Sequence, residues 1–377
     1  MTAGTIYRYI IVLVPLSLTA LSLPAQPLMF RGQLSGWLTY DENSADKTEI
    51  GFRYLPETRI GWEISDGKAV DFAFDLNIHT SSSTGTLPGL GTNAAAKLYR
   101  FWARYYTDAL EVRAGLQKIN FGPAKILRSL MWFDTLDPRD PLQLTDGVTG
   151  LLVRYYFPNN SNIWTWGLAG SEELKGLEAV KSDSSKPEYG ARLQLPVPMG
   201  EAGVTVHSRY TNVPDIMALL SSVFPSFASN VIENRIAIDG IWDAGAGLWF
   251  ENSLSETKVN PSSSYWQNFT TLGADYTTGF GATLTLEHMF YSAGLAADNM
   301  SQAISISALM AMRGLTLLDS VTAIIFYDWT QNKAFPFVTW QRTYDNWIIN
   351  TSAYSSPQLA NSSFSGSGVQ VLVSYNH

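Results

Sequence analysis

Val70-Asp71-Phe72-Ala73-Phe74-Asp75-Leu76-Asn77-Ile78-His79 alternates apolar and polar side chains along its length. Successive side chains of an extended strand point to opposite faces. The stretch therefore predicts one face of Val70, Phe72, Phe74, Leu76 and Ile78, and a second of Asp71, Asp75, Asn77 and His79. The same two-residue beat recurs from about residue 28 to the C-terminus. A soluble sandwich alternates as well, so the connections between strands decide the class.

The beat resolves into segments at 28–40, 48–64, 69–79, 95–106, 110–119, 148–157, 162–170, 186–197, 201–211, 231–242, 244–254, 265–277, 281–291, 302–312, 320–330, 334–343, 346–354 and 366–377. That is about 18 strands, with 16 as the alternative even count. Asp66-Gly67-Lys68, Asp108-Ala109, Pro158-Asn159-Asn160, Asp243-Ala244, Thr278-Gly279 and Tyr344-Asp345 are turn formers where the chain must reverse. The stretches 80–94, 120–147, 171–185, 212–230, 255–264, 292–301 and 355–365 are loops. Short and long connections take turns, so nearly all the loop length falls on one rim. This is the layout of an all-β, transmembrane, up-and-down antiparallel β-barrel with short periplasmic turns and long outer loops.

Parity within single strands agrees. Ile50, Phe52, Tyr54, Ile60, Trp62 and Ile64 share one face, and Glu49, Arg53, Glu57, Arg59 and Glu63 the other. The last strand sets Val369, Val371, Val373 and Tyr375 against Gln370, Ser374 and Asn376, and is placed to close the barrel on the first. A cation on the lipid face costs roughly 2 to 4 kcal/mol at the midplane, and a one-residue slip inverts a whole strand. Register cannot drift. Tyr40, Tyr54, Trp62, Tyr105, Tyr155, Phe157 and Tyr210 fall on the outward parity near strand ends, as aromatic girdles require.

The 377 residues carry a net charge of −8, 46% hydrophobic residues, 4 His and no Cys, with mean hydropathy of −0.01. A polar lumen and an apolar exterior average to such a value. The acidic balance argues against a nucleic-acid partner, and the missing Cys removes disulfides and thiolate chemistry. No cofactor is expected. At the N-terminus, Arg8, the apolar run Ile10 to Leu23 and Ser22-Leu23-Pro24-Ala25-Gln26 read as a signal peptide over 1–25, leaving 26–377 as the barrel. A membrane anchor would need about 20 uninterrupted apolar residues. Export plus a barrel points to the outer membrane of a Gram-negative cell, with lipid and small hydrophilic solutes as partners and room for a homo-oligomer.

Inward parity gathers Arg31, Arg53, Arg59, Arg100, Arg104, Arg113, Arg154, Arg192, Arg209 and Arg235 in the first ten strands. Sequential strands are neighbours, so half of the wall should carry a guanidinium stripe. Asp71, Asp75, Glu111, Glu188, Asp239, Glu251, Asp275 and Glu287 face the same way. Two readings stand: wall salt bridges, or a ladder easing the passage of anions. A hairpin at Asp108-Ala109 sets Arg104 opposite Arg113, which calls for an anion between them, from a folded-in loop or from solute. The loop 120–147 holds Lys125, Arg128, Asp134, Asp137, Arg139 and Asp140, with Leu127, Leu130, Met131, Trp132, Phe133 and Leu136. That apolar load predicts a loop folded inward to narrow the pore. Its Asp-Thr-Leu-Asp-Pro-Arg-Asp-Pro run is also a calcium candidate, though without the spacing or glycine of a calcium loop. Met217, Leu219, Leu220, Val223, Phe224 and Phe227 make 212–230 too apolar to lie free.

Arg113-Ala114-Gly115-Leu116-Gln117-Lys118-Ile119-Asn120-Phe121-Gly122, followed by a Trp/Asp/Pro-rich loop, resembles an element of alginate-export-type outer-membrane channels. The general plan is similar to the 18-stranded substrate-specific porins, which line the channel with a basic ladder and narrow it with an inward loop. The resemblance implies solute passage and not which solute; with the arginine stripe the expectation is passive diffusion of small hydrophilic, anionic solutes. Two other classes compete. A structural or secretion-associated barrel would conduct nothing. An outer-membrane hydrolase would need His79 or His207 beside a nucleophile, with Asp75 on the same face as His79.

Overall fold

The computed structural model describes residues 28–42, 47–83, 93–171, 173–356, 364 and 366–377. The expected signal peptide over 1–25 lies outside them. The described residues form strands β1 Met29–Asp41, β2 Thr48–Ser65, β3 Lys68–Ser83, β4 Asn93–Tyr106, β5 Leu110–Gln117, β6 Val148–Tyr156, β7 Asn162–Leu168, β8 Glu188–Val197 and β9 Gly200–Thr211. A short helix, α1 Val213–Leu220, follows. The circuit continues through β10 Val231–Asp243, β11 Gly247–Asn260, β12 Ser263–Thr277, β13 Ala282–Gly294, β14 Met300–Gly314, β15 Asp319–Asp328, β16 Lys333–Tyr344, β17 Trp347–Ser356 and β18 Gly366–Asn376.

Each strand pairs antiparallel with its neighbours in the chain, and β1 pairs with both β2 and β18. Leu34 meets Tyr375 and Trp37 meets Leu372 across the seam. The 18-stranded sheet is thus closed, and no edge is left with unpaired backbone groups, the condition for strands in hydrocarbon.

The opening decapeptide lies in β3 as expected. Phe72 and Phe74 are 43% and 45% exposed on the outer face, while Asp75 is 1% exposed on the inner. Leu34, Leu38, Ile50, Phe52, Val204, Val206, Ile236, Ile238, Leu272, Leu286, Ile325, Val338, Val369 and Val371 continue the exposed apolar exterior. A large apolar area facing outward all round the sheet is stable only against acyl chains.

One expectation about the connections needs correction. Residues 255–264 are not a long loop: β11 and β12 run on to a tight reversal at Pro261-Ser262, where the Asn260 carboxamide accepts from Ser262 N at 3.0 Å. The strands extend because Val259 on the inner face packs with Val180, Ile216, Leu220, Phe224 and Val231. That cluster also explains the apolar load of 212–230. Its helix α1 is capped by Asn212, whose side chain accepts from Asp215 N at 3.1 Å, with Pro214 in the first turn. Met217, Leu219 and Val223 remain exposed.

Candidate functional site: the lumen

After Gln117 the chain crosses the interior before returning at Val148. Ala124 N and Leu130 N each donate to the Glu251 carboxylate at 2.9 Å. Lys125, Ile126 and Leu127 donate their backbone N–H groups to Glu287 at 2.7, 3.0 and 2.5 Å. Trp249 Nε1 adds a fourth bond to Glu287 at 3.1 Å. Glu251 and Glu287 belong to β11 and β13, across the circuit from β5 and β6. Farther along, Ser129 meets Thr271 and Trp132 Nε1 donates to Ser253. Lys125 pairs with Asp275 and lies over the Trp249 ring.

Hydrophobic burial drives this inward course. Ile119, Phe121, Leu130, Trp132 and Phe133 bury together against Val148, Leu152, Trp166, Leu168 and Ala237, and each large side chain so buried is worth roughly 1.5 to 3 kcal/mol. Gly122 has φ +90°, and a Cβ there would stand 2.3 Å from Glu251 Oε1. Glycine lets the loop reach that carboxylate.

The charged residues of the loop find separate partners. Arg128 pairs with Asp134 inside the loop. Arg139 pairs with Asp137 and donates to Ser356 Oγ and Phe364 O, tying the loop to β17 and the segment after it. Asp140 accepts from Leu142 N at 2.9 Å and Leu144 N at 3.2 Å. Burial raises the Asp140 carboxyl above its ordinary range, against the pull of these donors and of Arg53. The calcium candidate does not assemble: its carboxylates diverge, and among the described residues no group of three His, Cys, Asp or Glu is placed to hold a metal.

The arginines divide into two settings. Arg192 clasps Asp239 at 2.6 and 2.8 Å. Arg209 pairs with Glu233 and Glu178, each at 3.0 Å, and Arg235 with the same two carboxylates. Lys175 pairs with Glu188, which also meets His207 Nε2 at 3.1 Å. Glu178 and Lys175 come from the connection between β7 and β8, so a second loop is locked inside the wall. Burial holds the Lys175 ammonium below its ordinary pKa. Sequence parity named Glu188, Arg192, His207, Arg209, Arg235 and Asp239 of this network but not Glu233 on β10, and the loop members carry no periodic signal.

Arg59, Arg104, Arg113 and Arg154 are less enclosed. Arg59 pairs with Asp75 and Arg104 with Asp71. Arg104 and Arg113 are register partners on β4 and β5. The anion expected from the loop comes instead from the wall, because Asp71 and Glu111 sit on strands already in reach. Glu111 serves both Arg113 at 2.8 Å and Arg154 at 3.8 Å. Trp102 lies under the guanidinium groups of Arg59, Arg104 and Arg113, and Arg154 stacks 3.9 Å over Trp164. Arg113 Nε, Arg154 Nε and Trp164 Nε1 are buried donors without a hydrogen-bond partner among the described residues.

Arg31 pairs with Glu57, and its side chain is 59% exposed at the start of β1. Arg53 lies over Trp37. A bulge between Asp75 and Leu76 sets Arg100 opposite Asp75 and Leu98 opposite Leu76, with Tyr99 as the extra residue. Arg100 then donates to Thr145 O at 2.9 Å, and Tyr99 Oη accepts from Thr145 N. Both hold the loop's return. Opposite, a cavity of about 460 Å³ separates Lys125, Arg128 and Pro138 through Asp140 on the loop from Met310, Thr322, Thr339, Gln341 and Asn350 on β14–β17.

The contacts of His207 and of Asp75 differ from those the hydrolase alternative required. His207 has Nε2 on Glu188 and Nδ1 on Trp166 Nε1, which leaves no ring nitrogen to activate a nucleophile. Asp75 is taken by Arg59 rather than by His79.

No family model matches the chain, and no curated protein sequence matches it. Solved structures do. OccAB1 of Acinetobacter baumannii superposes with a TM-score of 0.57 at 8% identity, over 93% of this chain and 95% of that one. The anion-selective porin of Comamonas acidovorans gives 0.52 at 14% identity, over 94% and 100%. OmpT of Vibrio cholerae, an outer membrane protein in a trimer form, gives 0.53 at 10% identity, over 94% and 99%. At such identities the likeness is one of fold, and the chain has the closed antiparallel barrel that outer-membrane porins share.

Proposed function

We propose that the protein is an integral outer-membrane channel for passive diffusion of small hydrophilic solutes, preferring anions, and that it is no enzyme. The observation that carries this reading is the loop 118–147 fastened to Glu251 and Glu287 on the far wall, with a polar gap left beside β14–β17. A loop so placed narrows the passage without filling it. Anion preference follows from Arg59, Arg104, Arg113 and Arg154, with Glu111 shared between two of them. The solute gradient is the driving force. A homo-oligomer fits the reading, since one structural relative occurs as a trimer.

A non-conducting barrel is the second reading, favoured by the enclosed Arg209, Arg235 and Lys175 network that fills one side. Planar-bilayer recording separates the two. The channel reading expects stepwise conductance with an anion-directed reversal potential in a salt gradient, weakened by Arg113→Ala with Arg154→Ala. Silence of the folded protein overturns it.

A further inference from the structure

We infer that the outward face of β11–β14 docks against a second copy of this chain. On β12 the outward set runs Trp266, Asn268, Thr270, Leu272, Ala274 and Tyr276, so that Asn268 and Thr270 lie between two aromatic residues at the depths of the interfaces. Asn252 on β11 is the register partner of Thr270, and its Nδ2 donates to Asn268 Oδ1 at 2.8 Å and Thr270 Oγ1 at 2.7 Å. One strand on, His288 follows Leu284 and Leu286 on the outer parity of β13. Its ring nitrogens meet Ser307 Oγ at 2.7 Å and Ser305 Oγ at 3.1 Å.

Six polar side chains on neighbouring strands thus face outward within the apolar belt. Two amides and a hydroxyl carry more donors and acceptors than the bonds among them use, and acyl chains offer none in return. Lipid headgroups do not reach between the girdles, and none of the six is a Lys or Arg that would draw their phosphates; Glu256 and Lys258 of β11 lie level with and beyond Trp266, at the rim. A protein surface of mixed donors and acceptors is the occupant whose chemistry fits. The patch itself presents both kinds, so that the same patch of a second copy can answer it across a two-fold contact. The inference rests on the membrane-barrel reading and is independent of conduction.

The chain has no Cys, so single substitutions report contact cleanly. In isolated outer membranes, Asn268→Cys treated with a membrane-permeant bis-maleimide is expected to give a covalent dimer, and Phe74→Cys, on the opposite wall, is not. Equal yields at the two positions, or none at either, overturn the assignment. The pair Asn252→Leu with Asn268→Leu, which removes no lumen group, is expected to weaken association in detergent by about tenfold or more while the barrel stays heat-resistant and its single-channel conductance is unchanged. An association constant equal to wild type overturns the proposed face.

Discussion

Glu287 accepts the backbone N–H of Lys125 at 2.7 Å from the far side of the barrel. Ile126 and Leu127 donate to the same carboxylate, while Ala124 and Leu130 converge on Glu251. Hydrogen bonds are worth about 0.5 to 3 kcal/mol each depending on the charge of the acceptor, so two side chains fix the path of the loop. Glu287→Ala strands four donors, the backbone N–H groups of Lys125, Ile126 and Leu127 and the Trp249 Nε1. We expect larger and noisier conductance steps, together with new protease cleavage within 118–147, and a barrel that still folds. Conductance and cleavage identical to wild type would show that Glu251 and the apolar cluster around Leu130 and Trp132 hold the loop without Glu287.

The ion pairs of the wall should differ in worth according to burial. Glu178 is enclosed between Arg209 and Arg235, and removing one partner of a buried pair costs roughly 3 to 5 kcal/mol. Glu178→Ala is expected to lower the unfolding temperature and release the connection between β7 and β8 to proteolysis. Arg31→Ala breaks a pair open to water and should be close to silent, as surface pairs contribute about 0 to 1 kcal/mol. The check is thermal unfolding of the two variants in one detergent.

Face assignment has its own test. Phe74 faces outward and Thr322 lines the cavity beside the loop. Phe74→Arg puts a guanidinium into hydrocarbon at a cost of roughly 2 to 4 kcal/mol, and should reduce the yield of folded barrel in urea-refolding titrations. Thr322→Arg should fold like wild type and move the reversal potential further toward anions. If the two variants fold alike, the assigned faces are wrong.

Much of this was legible in the sequence because alternation is a local signal that burial enforces strand by strand. Phe72, Phe74 and Asp75 fall on the expected faces for that reason. The bulge at Asp75 was silent, since one extra residue in β4 changes no composition yet brings Arg100 and Tyr99 to the loop. The reach of β11 through Thr257 and Val259 was hidden because Ser255-Glu256-Thr257-Lys258 is polar on both faces. Glu251 and Glu287 were recognisable as inward acids, but their donors are backbone groups more than a hundred residues away. No pattern near either glutamate encodes that. Lys175 and Glu178 escaped for the same reason, as their partners Glu188, Arg209 and Arg235 are assembled by the fold.

On the proposed channel function, Asp140 should confer a pH dependence whose direction follows from its surroundings. Burial raises its folded-state pKa, and Arg53 is the cation whose field opposes that rise. A carboxyl with a raised folded pKa binds more protons folded than unfolded in the window between its ordinary value, about 3.9, and the raised one. Stability of the docked loop therefore falls as pH rises through that window, and the penalty is fully present above it. Function moves with the same proton: above the window the anionic Asp140 offsets Arg53, and below it Arg53 loses that counter-charge. Acidifying both chambers from neutral pH should shift the reversal potential toward anions and make the loop harder to cleave. Asp140→Asn should show the acid-form selectivity already at neutral pH, with the shift on acidification reduced. If Asp140→Asn retains the full pH response of the wild type, another group is titrating.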